Sequence, residues 1–373
     1  MTIIYGLIVL GFIVFVHEMG HFAAAKLCGV KVEAFSVGMG PVIAHKTLCK
    51  IDWRLSALPL GGYCAMKGEQ DFINAYEEGL QSVTGDKDSL YGVHPLKRGI
   101  IAFAGPFSNL LLTFFSFFLI SLIGYTYYSP SAKIQLADEV YPEIYSAARQ
   151  GGLLTGDTIK KINETQIEDF SEIFSVVSLH PDEDLIIQAE RDGSLLEFTV
   201  HTIMDKSTGA GKLGVLSVEK SEKREAKRYN FFDSIIHGAK ETFSMLVATL
   251  KGIQSLFKGV KVTEAVSGPA RITTMLGDTV KTGFSAGFRT GLSSVLNFIA
   301  LISISLFLMN LLPIPILDGG LILFSLIESI FRIHISPKVR YSVQYIGLAF
   351  IIFMFVIALI GDFNYFMRLF NEK

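Results

Sequence analysis

Two histidines and a glutamate near the start of the chain have the types and spacing of a metal site. His17 and His21 enclose Glu18 in the pattern HExxH. On an α-helix, residues four apart lie about 40° apart around the axis, so both imidazoles can reach one Zn²⁺ ion. A carboxylate beside them can take a proton from water while the metal polarises a carbonyl group. The pattern predicts hydrolytic zinc chemistry with Glu18 as the general base.

A zinc site needs at least a third protein ligand, and Asp318 is the candidate. It is the only acidic residue close to the end of the third apolar stretch of the chain, within the run NLLPIPILDGG at residues 310–320. Two prolines and two glycines break a helix here, and irregular backbone at membrane depth occurs where it lines a cavity or is buried in protein. Two roles fit Asn310, which opens the run: donation to an oxyanion or substrate, or a hydrogen bond to a neighbouring helix.

The composition indicates which elements position these residues. Of the 373 residues, 50% are hydrophobic and 18% charged, and the mean hydropathy is +0.44, which argues against an ordinary soluble fold. Four apolar stretches, at residues 3–26, 99–128, 291–317 and 341–360, can cross about 30 Å of hydrocarbon as helices. We therefore expect a polytopic α-helical membrane protein with four transmembrane helices in a lipid bilayer. Ionisable residues in a span cost on the order of 3 kcal/mol each, so the HExxH residues need either a function or a polar network between helices.

Charge and cysteine content exclude other classes. The net charge of −2, without a long basic block, argues against a nucleic-acid partner. The three cysteines form no CxxC pair, which argues against both a disulfide framework and a thiolate metal site.

The orientation follows from basic residues near the membrane. Lys26 and Arg98 belong to the basic residues that flank the loop between the first two spans, so this loop is expected in the cytoplasm. Four alternating spans then place the N-terminus and residues 129–290 outside. His17 lies about 21 Å along an inward-running first span, and Asp318 is expected to end an inward-running third span. The three predicted ligands thus fall toward the cytoplasmic side of the membrane.

The external segment contains the sequence SAARQGGLLTGDTIKKIN at residues 146–163, which predicts a short helix, a glycine-rich turn and a strand. It resembles a PDZ domain of the bacterial protease-associated type, which implies one inserted external α+β domain over residues 129–218 that docks peptides by strand addition. Exposed backbone N–H groups at Gly151, Gly152, Leu153 and Leu154 are the expected peptide contacts. The alternative is a small soluble domain with glycine turns.

Residues 219–290 are expected to be a linker with surface helices. Residues 219–228 are densely charged and predict a connector without chemistry. Amphipathic helices at the membrane surface are expected over residues 231–257 and after Gly268. The membrane core would then comprise residues 1–128 and 291–373.

Together the motifs resemble the site-2 protease family of intramembrane zinc metalloproteases, and most closely its bacterial branch that cleaves anti-sigma factors. The resemblance rests on HExxH in the first span and NxxPxxxLDGG in the third, with FSVGMGP at residues 35–41, PLGGY at 59–63, GPFSN at 105–109 and Gly268-Pro269. It implies one zinc ion held by His17, His21 and Asp318, with Glu18 as general base. It further implies cleavage of the transmembrane segment of a single-span protein in the bacterial inner membrane, as a step of regulated intramembrane proteolysis after a first external cut.

The loop after residues 52–58 resembles the membrane-reentrant β-loop of this family. An exposed strand edge there can pair with an unwound substrate and present its backbone in an extended form. The expected substrate-binding residues are Gly61, Gly62, Tyr63, Cys64, Ala65 and Met66. The alternative is a hairpin that only covers the site. Family members often carry two tandem external PDZ domains, whereas this chain has room for one.

Two other functional classes compete with a protease. A metal transporter would use the same histidines and aspartate as a transit site, but it needs neither a glutamate beside the first histidine nor a strand-presenting loop. An inactive scaffold that binds transmembrane helices predicts loss of the HExxH or LDG residues, and all of them are present.

Overall fold

The computed structural model describes residues 2–83, 85–206, 208–256 and 268–371, which form two compact units. The first unit consists of Met1–Ile123, Tyr229–Met245 and Gly268–Lys373, and the second of Gly124–Arg228 and Leu246–Ser267. Residues 219–290, expected to be a separate linker region, are therefore shared between the two units.

The helices, in chain order, are α1 (Thr2–Cys28), α2 (Glu69–Glu77), α3 (Pro95–Ile123), α4 (Ala147–Gln150), α5 (Phe170–Ser178), α6 (Phe231–Leu256), α7 (Pro269–Ser285), α8 (Phe288–Leu311), α9 (Asp318–Phe331) and α10 (Pro337–Asn371). The strands are β1 (Val32–Leu48), β2 (Ile51–Met66), β3 (Thr126–Ser129), β4 (Ile134–Leu136), β5 (Thr158–Ile162), β6 (Thr165–Gln166), β7 (Asp184–Arg191), β8 (Ser194–His201), β9 (Ile203–Met204), β10 (Gly211–Lys212), β11 (Val215–Ser217) and β12 (Glu222–Glu225).

Four helices of the described chain are long and apolar enough to cross a membrane: Ile4–Cys28, Pro95–Ile123, Phe288–Leu311 and Pro337–Met367. The prediction of four helices able to cross a membrane is confirmed for the described residues, and these helices are consistent with a membrane protein. Two predicted boundaries are wrong. The second span ends at Ile123 rather than near residue 128, because Gly124 adopts φ +63° and β3 follows.

The third span also ends earlier than expected. Helix α8 ends at Leu311, residues 312–317 form an irregular turn, and Asp318 begins α9 instead of ending the span. Pro313 and Pro315 explain this end, because each lacks the N–H that would continue the helix. The apolar run after Asp318 was not expected to form a helix of its own.

Strands β1 and β2 pair in an irregular sheet beside α1. Residues 34–37 of β1 pair on both sides, with residues 52–55 and with residues 62–65 of β2. Phe35 is buried against the rings of Phe15, Phe22 and Trp53, which fastens the sheet to α1. Residues 62–66 thus form one edge of this sheet, and within the described chain no strand pairs with their other side.

The second unit is an α+β fold built around a four-stranded sheet in the order β6-β5-β7-β8. Buried aliphatic residues from its strands and helices form one core, including Ile159, Ile187, Val200 and Leu153. The charged segment at residues 219–228 is not merely a connector, because β12 within it pairs with β3.

Candidate active site

The structure brings His17, His21 and Asp318 together. The Nε2 atoms of the two histidines lie 3.2 Å apart. Asp318 Oδ2 lies 3.2 Å from His17 Nε2, and Asp318 Oδ1 lies 3.4 Å from His21 Nε2. His21 is buried and the other two are partly buried, so the ligand atoms converge inside the first unit.

These separations fit a Zn²⁺ ion. With metal–ligand bonds of about 2.0–2.1 Å, neighbouring ligand atoms of a tetrahedral site lie roughly 3.3 Å apart. Imidazole nitrogens and a carboxylate are ligands that zinc prefers, and three protein ligands leave one position open for water or substrate. The donor set and its spacing therefore suit a catalytic rather than a closed structural zinc site.

Helix α3 orients both histidine rings. His21 Nδ1 lies 2.8 Å from the carbonyl oxygen of Ile101, so this nitrogen donates and leaves the Nε2 lone pair free for a metal. His17 Nδ1 lies 3.1 Å from the side-chain amide of Asn109, which is fully buried. The Oδ1 atom of that amide has no other partner among the described residues. Turning the amide so that Oδ1 accepts from His17 Nδ1–H satisfies it and frees Nε2 of His17 in the same way.

Two glycines allow α1 and α3 to approach closely enough for these contacts. A Cβ atom at Gly105 would lie 2.2 Å from His21 Nε2. A Cβ atom at Gly20 would lie 2.0 Å from Ser108 Oγ and 2.2 Å from the Ala104 carbonyl oxygen. Only glycine fits at either position without moving a helix or the histidine.

The turn before α9 carries Asp318 to the histidines. Gly319 and Gly320, which follow it, pack directly on the preceding turn, where a Cβ atom would lie 2.2 Å from the Leu312 carbonyl oxygen and 2.4 Å from Pro315 Cα, respectively. Thus the LDGG sequence is needed sterically, because it lets the first turn of α9 fold back against the end of α8.

Glu18 lies between the histidines and the free edge of β2. Its carboxylate lies close to the backbone N–H of Cys64. A Cβ atom at Gly62 would lie 3.1 Å from Glu18 Cγ, so the backbone of the edge strand passes directly beside the side chain. Two of the six residues predicted to bind substrate therefore lie beside the predicted base.

Two groups of predicted residues lie outside this cluster: Asn310, and the predicted peptide contacts at residues 151–154. Asn310 lies in the last turn of α8, partly exposed and without a side-chain hydrogen bond among the described residues, and its role in substrate binding stays a prediction.

The second group is the set of predicted peptide contacts in the second unit, whose backbone N–H groups are already used. The backbone N–H groups of Gly151, Gly152 and Leu153 donate to carbonyl oxygens within the α4 turn, and that of Leu154 donates to Asp157 Oδ2. Leu153 is part of the core. The four N–H groups are therefore already used within this glycine turn, and peptide binding at these four residues stays a prediction without the free donors on which it was based.

Sequence reasoning overlooked the supporting residues of α3. Asn109 and Gly105 were noted only as members of the GPFSN motif, without a role. An asparagine within an apolar stretch was the available signal, because a polar group in a membrane span needs a partner or a function.

Comparison with known proteins assigns the chain to a family. The sequence profile described as Peptidase family M50 matches residues 5–354. A protein of Treponema pallidum (strain Nichols) is 38% identical, with 97% of this chain and 99% of its own length aligned. A protein of Campylobacter jejuni is 34% identical over 96% of this chain and 92% of its own, and one of Helicobacter pylori (strain 26695) is 30% identical over 96% and 98%.

All three relatives carry the name "Putative zinc metalloprotease". A profile match over most of the chain, together with relatives of this identity and coverage, confirms the resemblance that the motifs indicated. The chain belongs to peptidase family M50, the family of the site-2 metalloproteases.

Proposed function

We propose that this protein is an intramembrane zinc endopeptidase that cleaves the transmembrane segment of single-span membrane proteins. The observation that carries the proposal is the juxtaposition of three elements: the cluster of His17, His21 and Asp318, the carboxylate of Glu18, and the free edge of β2. A metal transit site would not require the last two.

Each residue of the site would have a separate role in the reaction. His17, His21 and Asp318 would hold one Zn²⁺ ion, which when bound polarises a carbonyl group and acidifies water. Glu18 takes a proton from the attacking water and returns it to the amide nitrogen that leaves, so that the carboxylate is regenerated. The Glu18 carboxylate lies close to the backbone N–H of Cys64, and the Ile101 carbonyl and the Asn109 amide hold the two imidazoles.

The edge of β2 explains how a helical substrate could be attacked. A peptide bond within a helix is shielded by its own hydrogen bonds, so the substrate must unwind locally. Strand addition along residues 62–66 would satisfy the backbone groups that unwinding exposes. Because Gly62 and Cys64 lie beside Glu18, a paired segment would lie close to the base.

We place this chemistry in the bacterial inner membrane, toward the cytoplasmic side, with the N-terminus outside. Support comes from the basic residues that flank the loops after the first span and before the last. The second unit would be a PDZ-like external domain, and its folded core with a four-stranded sheet supports this interpretation. Its role would be to restrict access to substrates already trimmed by a first external cut, as in regulated intramembrane proteolysis of an anti-sigma factor.

The test is cleavage of a tagged, pre-trimmed single-span substrate by the full-length protein in detergent or proteoliposomes. We expect wild type to cut within the span, and Glu18→Gln to retain zinc but lose at least about 100-fold in rate, as removal of a general base predicts. Glu33→Gln, which changes an exposed glutamate of β1, is the matched control and should cut like wild type.

The alternatives give different results in the same preparations. Zinc uptake into proteoliposomes that requires Asp318 but not Glu18, without cleavage, would favour transport. Substrate binding by a zinc-free wild-type protein would favour a scaffold. An untrimmed substrate that is cut as fast as the trimmed one would remove the proposed role of the external domain.

A further inference from the structure

Three charged residues are buried together at the ends of three helices, away from the metal ligands. Arg98 lies in the first turn of α3, Glu328 near the end of α9, and Arg340 in the first turn of α10. Their exposed fractions are 5%, 4% and 3%, respectively. Arg98 Nη2 lies 2.6 Å from Glu328 Oε2, and Arg340 Nη2 lies 2.5 Å from Glu328 Oε1. Both oxygens of one carboxylate are therefore used by two guanidinium groups.

The charges in this cluster do not balance. Arginine stays protonated in proteins, so two positive charges face the single negative charge of Glu328. Glu328 Oε1 also accepts from the Ile335 N–H, which leaves it little further capacity. The nearby Glu69 accepts from the Met66 N–H and forms no ion pair with either arginine among the described residues. A buried positive charge without a counterion is strongly unfavourable.

Arg98 also has unused hydrogen-bonding capacity. Its Nε is buried and has no hydrogen-bond partner in the part of the chain that the structure describes. Both guanidinium groups lie over the ring of Tyr91. The distance from Cζ to the ring centroid is 5.3 Å for Arg98 and 5.5 Å for Arg340, and this packing holds both groups in place. The two arginines are thus held in a fixed orientation, and they retain an unused N–H donor on Arg98 and a net positive charge.

A cavity opens onto these groups. It has a volume of about 360 Å³, and Arg98, Arg340 and Glu328 line it together with His94 and His334. Both histidines are exposed. Every ionisable side chain in its wall other than Glu328 and Tyr91 is a base, so the cavity is a positively charged recess that reaches from the surface to a buried cation.

We propose that this recess binds a phosphate group, carried by an anionic lipid headgroup or free in solution. Guanidinium groups match the oxygens of phosphate in geometry and charge, and one such group would supply both the missing negative charge and an acceptor for the unused Arg98 N–H. The recess lies at the ends of two candidate membrane spans, the depth at which phospholipid phosphates occur. Its volume exceeds that of a single phosphate and leaves room for part of a headgroup.

Binding there would bear on the metal site through two helices. Glu328 lies ten residues after Asp318 on α9, which is about 15 Å along the helix. Arg98 precedes Ile101, the partner of His21, by one turn of α3. The Arg98–Glu328 ion pair therefore links α3 and α9, the helices that position the metal ligands. A bound phosphate would stabilise this link between the two helices.

The test is direct binding to the full-length protein, delipidated in a neutral detergent, by titration calorimetry and native mass spectrometry. Three probes are compared: inorganic phosphate, dioctanoyl phosphatidylglycerol, and dioctanoylglycerol, which lacks the phosphate. We expect one equivalent of a phosphate-bearing probe to bind and dioctanoylglycerol not to bind at this site. Binding of the lipid alone identifies a headgroup site, and binding of inorganic phosphate as well identifies a site open to free anions.

The variants locate the site. Arg98→Gln should weaken binding by about 10-fold or more, since it removes a charge-assisted interaction. His334→Ala, at the exposed rim, should weaken it less and keeps the buried ion pairs, so it reports even where Arg98→Gln does not fold. Arg332→Gln, an exposed arginine that does not line the cavity, is the control and should bind like wild type.

Equal binding of dioctanoylglycerol and the phospholipid, or binding unchanged in both cavity variants, would overturn the proposal. Because the readout is binding, this result is independent of whether the protein cleaves peptides.

Discussion

At the residue scale, the metal ligands depend on neighbours that do not contact the metal themselves. The Asn109 amide fixes the ring of His17, and Asn109→Leu keeps the size of the side chain but removes that contact. Loss of such a supporting hydrogen bond typically lowers metal affinity by about 10- to 100-fold. We expect this loss in a competition titration with a zinc chelator. Ser116→Ala, which removes another buried polar group of α3, should keep wild-type affinity, and equal losses in both variants would contradict a specific role for Asn109.

Gly105 offers a second test with a close control on the same helix. Gly105→Ala adds a methyl group 2.2 Å from His21 Nε2, so the ring or the helix must move. At Gly99 an added methyl group would lie 3.5 Å from Ser325 Cβ, which is an ordinary van der Waals distance. Because alanine favours helix at both positions, intrinsic helix propensity cannot cause a loss. We expect purified Gly105→Ala to contain little zinc by elemental analysis, and Gly99→Ala to contain one zinc ion per chain. A Gly105→Ala protein with a full zinc content would show that the helices move apart enough to accommodate the methyl group.

The sequence could predict the candidate ligands but not their support. His17, Glu18 and His21 lie within one helical turn, and Asp318 lies in a run whose prolines and glycines mark it, so local patterns reveal all four. Asn109 reaches His17 only because α1 and α3 pack at glycines, and no local pattern specifies which residue of a neighbouring helix faces a given ring. Contacts of this kind depend on the relative rotation of two helices, which a single sequence does not encode locally.

At the scale of an element, the start of α5 shows how one carboxylate can organise a domain. Asp169 accepts hydrogen bonds from the backbone N–H groups of Ser171 and Glu172 and from the hydroxyls of Ser129 and Tyr127. Burial by itself would raise the pKa of Asp169, but these hydrogen bonds outweigh it and hold the pKa below its usual range. A lowered pKa in the folded state means that the carboxylate stabilises the fold above about pH 4, its unfolded value, and that this contribution is lost as the pH falls through the folded pKa.

We therefore expect Asp169→Ala to lower the free energy of local unfolding of α5 by about 1–3 kcal/mol, through loss of the cap and of the buried acceptor. Hydrogen exchange of the full-length protein, read at residues 170–178, measures this. Wild-type protection, corrected for intrinsic exchange, should also fall as the pH is lowered below about 4, the unfolded pKa of an aspartate. Glu164→Ala removes an exposed acid of the same unit and should change neither quantity. Protection in Asp169→Ala that equals wild type would show that the cap is dispensable.

Helices and strands could be predicted where a local sequence pattern determines them. They could not be predicted where they form by pairing with a segment distant in the chain. The cores of the four spans and the helix over residues 231–256 follow from hydrophobic pattern alone. The charged run containing β12 resembles a solvated linker, and it becomes a strand because β3, almost 100 residues earlier, supplies a partner. Likewise the glycine turn at residues 151–154 looks rich in free N–H donors until the structure shows that each is already used.

At the scale of the whole molecule, the metal would join the two ends of the membrane chain. His17 and His21 lie on α1 and Asp318 at the start of α9, so a bound ion closes a loop of about 300 residues. An ion that binds only the folded form stabilises it by about 4 kcal/mol at a concentration 1,000 times its Kd. We expect removal of zinc with a chelator to lower the Tm of the protein and to speed hydrogen exchange in α1 and α9.

The second unit provides an internal reference for this prediction, because its own core residues fall between residues 132 and 213. Exchange in β5, β7 and β8 should be unchanged by the chelator. Asp318→Asn should begin at the lower Tm and show no further response to chelator, whereas Glu18→Gln, which keeps all three ligands, should respond like wild type. A chelator effect that persists in Asp318→Asn would mean that the stabilising metal lies elsewhere. A Glu18→Gln protein that does not respond would mean that Glu18 helps to hold the ion, and its role as a base would then need another demonstration.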